Sequence, residues 1–353
     1  MVFKFLINPF DTLRCELLHK DFITMKREFV TEFSIGYLNS FTAMLTAHQL
    51  LNGGEISTEQ ADAISECHIY AITARPAPYF KEGSLKHDGK FLSGIVCYRV
   101  EGVEKEIEFK DYTWILDPSA VSISCKYPFK EVVSLDKDGS ECTYVPASAL
   151  GTLLLDDGKG SKSDLDNYEV LYIGQAFGNE GNRTAIERLR SHSTLQKILA
   201  KTSYDYPDKE IMIFMYEFKN DNMFTSMDGR AHDADKSDKN EERLFNAIKN
   251  PPNKRQKIAL IEAGLIRYFR PPYNEIYKIK FPSTKHKILN SCYNLDMSGY
   301  VVELTCEDLD YKLYSTTVNS SYHHIAQIDL FNAINRSSFF SPTEFKVSPD
   351  VIG

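Results

Sequence analysis

The sequence has few features that would bind a metal through sulfur or form disulfides. Its seven cysteines are scattered, odd in number and form no Cys-x-x-Cys pair. This argues against a zinc ribbon or a disulfide framework and favours a reducing compartment. No apolar run reaches the ~18 residues that cross a bilayer, and charged residues soon follow the apolar start. We therefore expect a cytoplasmic protein with no membrane partner.

The composition is typical of folded domains, and a chain of 353 residues allows two or three of them. A net charge of −8 argues against a surface that binds polyanions everywhere, but it is compatible with a local basic face. We predict an N-terminal mixed α/β region of unknown role at 1–148, a central domain at 149–278 and a strand-rich C-terminal region at 279–353.

Several patterns outside the centre predict particular elements. The apolar spacing of 40–51 predicts a helix, and Glu101-Gly102 predicts the turn of a hairpin over 91–109. Residues 219–240 are charged and poor in large aliphatics, which predicts a flexible excursion. The C-terminal region predicts a hairpin over 300–314.

The central region predicts an α+β fold with a small, mostly antiparallel sheet flanked by helices. Its order is strand, strand, helix, strand, helix, helix, with the elements expected at 151–155, 168–174, from 184, 211–218, 241–249 and 256–269.

Glu262 is the most unusual residue of the last of these helices, because it lies on the apolar stripe. A carboxylate on a stripe that faces the core is costly unless it is paired or coordinates a metal. The alternative is an edge position from which the charge reaches solvent.

Arg188 and His192 are four residues apart, a spacing that places two side chains on one helix face. A guanidinium matches phosphate oxygens, and a histidine can transfer a proton near neutral pH. The alternative for this pair is a solvated helix face.

Two further candidates have simple structural alternatives. Tyr172 precedes Gly174 at the end of a predicted strand, where a tyrosine is usually a half-buried aromatic and the glycine could admit a substrate backbone. Asn274 follows two prolines and could fix a loop through its amide.

Basic residues near these elements are candidates for binding the phosphates of a nucleic acid, although a solvated surface explains them nearly as well. They are Arg190, Lys254, Arg255, Lys257, Arg267 and Arg270.

Together these motifs resemble the GIY-YIG nuclease superfamily over about 151–278. Tyr172-Ile173-Gly174 matches the second half of the name motif, and Arg188 with His192 matches the R-x-x-x-H pattern of the first helix. Glu262 and Pro272-Tyr273-Asn274 resemble the glutamate helix and its ending. One departure is that Leu153 stands where the family carries its first tyrosine, on the preceding strand.

The resemblance implies an endonuclease that hydrolyses DNA phosphodiesters with one Mg²⁺ or Mn²⁺ held by Glu262. It implies that Arg188 neutralises phosphoryl charge, that Tyr172 or His192 positions and deprotonates the water, and that Asn274 anchors the site.

Restriction or phage defence is the expected setting, with DNA as the substrate, RNA as an open alternative, and a homodimer or a defence complex as the assembly. The rival hypothesis is a catalytically lapsed domain that binds nucleic acid or a protein, and it rests on Leu153 and the negative net charge.

Overall fold

The computed structural model describes residues 27–52, 58–153, 164–176, 185–219, 221–227, 234–283, 285–331 and 339–340. These residues form a mixed α+β fold, as predicted. The helices are α1 (Ala47–Asn52), α2 (Thr58–Ser65), α3 (Ala147–Leu153), α4 (Ala185–Arg190), α5 (Ser193–Asp205), α6 (Asp238–Lys249), α7 (Lys254–Phe269) and α8 (Asn290–Asn294). The strands are β1 (Thr31–Leu38), β2 (Phe41–Thr46), β3 (Ile69–Pro76), β4 (Tyr79–Phe80), β5 (Lys86–His87), β6 (Phe91–Val100), β7 (Val103–Thr113), β8 (Ser122–Ser124), β9 (Glu131–Leu135), β10 (Glu141–Pro146), β11 (Asn167–Gln175), β12 (Lys209–Glu217), β13 (Asp221–Met227), β14 (Gly299–Thr305), β15 (Lys312–Tyr314) and β16 (His323–Asp329).

A five-stranded sheet with the order β15-β11-β3-β12-β2 lies at the centre. Its neighbouring strands are antiparallel except for β11 and β15, which are parallel. Successive side chains of a strand point to opposite faces, and both faces of this sheet are apolar. Ile69 and Ala71 of β3 belong to the core on one face, while Tyr70 and Ile72 belong to the core on the other.

Helix α7 packs between this sheet and a four-stranded sheet with the order β13-β1-β14-β16. Its buried residues include Ile258, Ile261 and Leu265, and they belong to a core that is shared with both sheets. The helix begins two residues before the predicted start because Asn253 and Gln256 form a capping box, in which each side chain bonds the other's backbone N–H.

The opposite face of the central sheet is covered by α1, α4 and α5, which contribute Leu50, Leu189, Leu195 and Ile198 to a second core. The Tyr70 ring lies on this face, and the Tyr172 ring packs against the same core.

A smaller β unit is inserted between the neighbouring strands β3 and β11. Its hairpin of β6 and β7 confirms the prediction, since Glu101 (φ 51°) and Gly102 (φ 78°) supply the two left-handed residues of a tight turn. The hairpin shares a separate core with a three-stranded sheet of order β10-β9-β8.

Four predicted elements are wrong in whole or in part. In the predicted helix 40–51, Phe41–Thr46 is a strand because it pairs with β12, and only the end is helical. In the excursion 219–240, Asp221–Met227 is a strand that pairs with β1. The hairpin over 300–314 is absent, since β14 pairs with β1 and β16 while β15 pairs with β11.

The fourth error concerns the strand predicted at 151–155. Residues up to Leu153 belong to helix α3, and the last two positions lie outside the described residues. The predicted boundaries at 148 and 278 stay predictions about domains. The central sheet spans both of them, because β11 pairs with β3 from before the first and with β15 from after the second.

Candidate functional site

Three aromatic rings form the centre of the candidate site, where β3 begins and β11 ends. Tyr70 lies directly opposite Gly174 in the antiparallel pairing of these strands. The ring centroid of Tyr70 is 6.2 Å from that of Tyr172 and 5.9 Å from that of His192, and Tyr172 is 5.3 Å from His192. The site therefore has two phenols and an imidazole in mutual contact.

Gly174 makes room for the two phenols. A Cβ at this position would lie 2.5 Å from the Tyr70 hydroxyl oxygen and 2.8 Å from Cε1 of the Tyr172 ring. Both separations are below van der Waals contact, so any larger residue would displace the rings. The packing of the two tyrosine rings is enough to explain a glycine at this position.

Glu262 extends from the middle of α7 towards the end of β11. Its partly buried carboxylate accepts hydrogen bonds from the backbone and the side chain of Gln175. Burial raises the pKa of Glu262 from 4.5 to about 7, against the opposing effect of the nearby Arg188 guanidinium. Ionisation of this carboxylate is therefore costly, as its position on the apolar stripe of the helix predicts.

Arg188 is the cation of the cluster. Its charge opposes the effect of burial on the pKa values of Tyr70, Tyr172 and Glu262, so all three groups lie within its electrostatic reach. Neither its Nε nor the Tyr70 hydroxyl has a hydrogen-bond partner of good geometry among the described residues, although both atoms are buried. The Tyr70 hydroxyl is nevertheless close enough to Arg188 and to the Tyr172 phenol for hydrogen bonds with them to lower the pKa values of Tyr70 and Tyr172, against the larger effect of burial.

His192 reaches the site by a route that differs from the prediction. Arg188 and His192 do not share a helix, because α4 ends at Arg190 and His192 is the N-cap of α5. Its Nδ1 accepts the Leu195 backbone N–H at 3.3 Å, which caps the start of α5. The four-residue spacing is therefore bridged by a turn, and the two side chains still meet at one site.

The capping bond also fixes the proton of His192. A neutral imidazole whose Nδ1 accepts a hydrogen bond carries its proton on Nε2. Burial and the Arg188 charge both lower the pKa of His192, which favours this neutral form. In this arrangement His192 is a hydrogen-bond donor rather than a base.

Asn274 anchors the site through the backbone of β11. Its side-chain oxygen accepts the Ile173 N–H at 2.9 Å, and its side-chain nitrogen donates to the Ile173 carbonyl at 2.8 Å. Both bonds are buried and hold the middle of Tyr172-Ile173-Gly174 in place. Both polar atoms of the amide bond the backbone of β11, so Asn274 positions the strand.

We expect Asn274→Ala to lower the free energy of unfolding by about 2–4 kcal/mol, because it leaves two buried backbone groups without partners. Urea denaturation measures the change. The exposed Asn294 is the matched control, and its replacement by Ala should change stability by less than ~0.5 kcal/mol. Equal effects of the two substitutions would contradict the anchoring role.

The six predicted nucleic-acid-binding cations differ in their contacts. Lys257 is buried in an ion pair with Asp221, and Lys254 is 3.2 Å from Glu66, so their charges are compensated. Arg267 donates to two loop carbonyls. Arg190 donates from Nε to the Leu50 carbonyl. The other two side chains, Arg255 and Arg270, are exposed.

Two residues of the site were not predicted. Tyr70 was missed because its partner strand β11 lies far along the chain. Gln175 was missed because a glutamine at a strand end has no distinctive pattern. The local signal for Tyr70 was the apolar run Ile69-Tyr70-Ala71-Ile72, which is typical of a buried strand.

Among the described carboxylates, Glu262 affects the pKa of both Tyr70 and Tyr172. The one group of three metal-ligand side chains among the described residues is elsewhere, at Cys97, Glu104 and Glu106. Both of its carboxylates are paired, with Arg99 and Lys81. A single carboxylate suits Mg²⁺, which keeps several waters and takes further ligands from substrate phosphates.

Comparison with models of known protein families finds no match, and comparisons with curated proteins and with solved structures find none either. Among the helices described here, none combines the length and the apolar character needed to cross a bilayer.

Proposed function

We propose that this protein is a metal-dependent endonuclease that hydrolyses DNA phosphodiesters through a site of the GIY-YIG type. The observation that carries the proposal is the meeting of Arg188 and the partly buried Glu262 around the paired phenols of Tyr70 and Tyr172. A cation, a carboxylate that could hold a metal ion and two hydroxyls are groups suited to phosphoryl transfer.

Tyr70 supports the resemblance to the nuclease family at the position of the first tyrosine, where Leu153 is the departure. The family's first tyrosine belongs on the strand that pairs with Tyr172-Ile173-Gly174, and Tyr70 occupies that strand opposite Gly174. The strand order β11-β3-β12 then follows from an insertion between the two motif strands. The rival hypothesis of a lapsed site, which rests on Leu153 and the negative net charge, then keeps only the net charge as support.

In the proposed mechanism each side chain has one task. Arg188 binds the non-bridging phosphate oxygens and neutralises the charge that grows on them. His192 donates from Nε2 to a phosphate oxygen or to the attacking water. Burial raises the pKa of both Tyr70 and Tyr172, so the phenols enter as protonated groups that orient the water. As the water oxygen bonds to phosphorus and the ester P–O bond breaks, one water proton passes through a non-bridging phosphate oxygen to the leaving oxygen.

Glu262 would hold the divalent ion, with Gln175 fixing the carboxylate. Mg²⁺ or Mn²⁺ at this position would polarise the phosphate and acidify nearby hydroxyls. Restriction or phage defence remains the proposed setting.

The test is cleavage of supercoiled and linear DNA, with RNA in parallel, in Mg²⁺ or in EDTA. We expect cleavage by the wild type in Mg²⁺ only, and a loss of about 100-fold or more for Arg188→Ala and Tyr70→Phe. Tyr216→Phe, which alters a buried tyrosine of β12 outside the ring cluster, should retain activity.

Cleavage that survives both EDTA and Glu262→Ala would contradict the mechanism. Binding to DNA without cleavage of DNA or RNA would favour the lapsed domain.

A further inference from the structure

The loop Glu275–Phe281, which directly follows Asn274, exposes two isoleucines to solvent. Ile276 is 67% exposed and Ile279 is 75% exposed. Leaving such a side chain in water forgoes about 1.5–3 kcal/mol of burial free energy. Two neighbouring losses of this size on one short loop indicate a surface that is covered by something else.

The loop is held firmly in this exposed position. Arg267 donates from Nη1 to the carbonyls of Lys278 and Ile279 at 3.3 and 3.1 Å. The Tyr277 ring packs edge-on against Phe281, with centroids 5.3 Å apart. Tyr277 also has a left-handed backbone (φ 65°), a conformation that costs a non-glycine residue about 1–2 kcal/mol. The loop therefore keeps the isoleucines exposed in spite of a strained backbone at Tyr277.

The base of the loop is fastened to the candidate site. The Tyr273 N–H donates to the Leu171 carbonyl at 3.1 Å, and Asn274 bonds both backbone groups of Ile173. These bonds flank Tyr172 on its own strand. The Tyr277 phenol is close enough to Glu262 for the carboxylate charge to add to the effect of burial, which raises the pKa of Tyr277. The loop that carries the isoleucines therefore starts at the strand that carries Tyr172.

The surroundings of the loop are basic although the chain is acidic. Residues 267–287 contain six basic side chains and one acidic one, in a chain of net charge −8. The basic residues are Arg267, Arg270, Lys278, Lys280, Lys285 and Lys287. Lys278 and Lys280 flank Ile279 in the sequence, which places positive charge on both sides of an exposed apolar side chain.

We propose that the Glu275–Phe281 loop is a wedge that inserts its isoleucines at a base step of duplex DNA, beside the phosphodiester to be cut. Apolar side chains unstack base steps in this way, and neighbouring lysines hold the flanking phosphates. The proposal rests on the proposed function. It specifies the substrate as duplex DNA that unstacks cheaply, such as a flexible pyrimidine–purine step or a mismatch.

The test uses the full chain with Glu262→Gln, in EDTA, and a duplex with 2-aminopurine beside a single mismatch. We expect binding to raise the 2-aminopurine fluorescence severalfold. Adding Ile276→Ser and Ile279→Ser should abolish this rise and weaken binding by about 10-fold or less, because the lysines remain. Ile115→Ser, at a side chain that is 70% exposed in the inserted β unit, is the control and should leave the rise intact.

A fluorescence rise that persists in the double serine variant overturns the wedge, as does tight binding without any rise. Binding of the wild type, but not the double variant, to phosphatidylserine vesicles with no response on DNA also overturns it, because the loop would then be a membrane contact. The fluorescence is measured without catalysis. A rise that depends on the isoleucines therefore upholds the wedge even if the wild type cuts no DNA, which is the outcome that defeats the proposed nuclease.

Discussion

Glu262→Gln is expected to reduce DNA cleavage at least ~1000-fold and, at pH 8, to stabilise the fold by about 2–3 kcal/mol. The first effect follows because an amide does not replace a carboxylate as a ligand of Mg²⁺. The second follows because burial raises the pKa of Glu262 from 4.5 to about 7. Such a shift corresponds to about 3 kcal/mol, and partial exposure reduces it somewhat.

The pH dependence has a definite direction. Between pH 4.5 and 7 the folded state holds a proton on Glu262 that the unfolded state releases. The wild type therefore loses stability as the pH rises through this window, whereas the glutamine variant does not. The stability gain should be complete above pH 7 and shrink towards zero as the pH is lowered to 4.5.

Urea denaturation over this pH range measures the stability, and plasmid cleavage measures the activity. Glu242→Gln, at an exposed position of α6, is the matched control and should change neither by a comparable amount. A variant that is less stable than the wild type at pH 8 would contradict a desolvated carboxylate at this site.

Arg75→Met is expected to lower the free energy of unfolding by about 3–5 kcal/mol, because it removes one partner of a buried ion pair. The Arg75 side chain is fully buried, and its Nε is 2.7 Å from Glu210. Its other nitrogens donate to the carbonyls of Leu165 and Ser148 and to the Tyr168 hydroxyl. One side chain therefore ties β3 to β11, β12 and the end of the inserted unit.

The same substitution at Arg99 provides the control. Arg99 is 47% exposed and pairs with Glu104 and Asp208 at 3.3 and 3.6 Å, so Arg99→Met should cost less than ~1 kcal/mol. Thermal or urea unfolding distinguishes the two variants. Similar losses at both positions would show that the buried network of Arg75 contributes no more than a surface pair.

Elements with a strong local pattern were predictable from the sequence. Helix α7 and strand β11 were predicted close to their observed bounds, because a capped apolar stripe and an apolar run ending in glycine specify them locally. Strands β2 and β13 were not, because each is at the edge of a sheet and has mixed exposure. The strand partner, rather than propensity, decides such segments.

The candidate site divides in the same way. Tyr172, Arg188, His192 and Glu262 were candidates from residue type, spacing and the resemblance to a nuclease family, and the structure brings them together. The spacing of Arg188 and His192 nevertheless gave the wrong local structure, because one helix ends at Arg190 and His192 caps the start of the next.

The sequence by itself determined the class of fold, the strand that carries Tyr172 and the helix that carries Glu262, because these depend on side-chain periodicity within a short segment. Only the tertiary structure decided that Tyr70 completes the aromatic cluster and that Gln175 holds the carboxylate. The reason is physical. The pairing of β3 with β11 joins segments separated by an inserted unit, and hydrogen bonds between such distant strands leave no pattern in either segment alone.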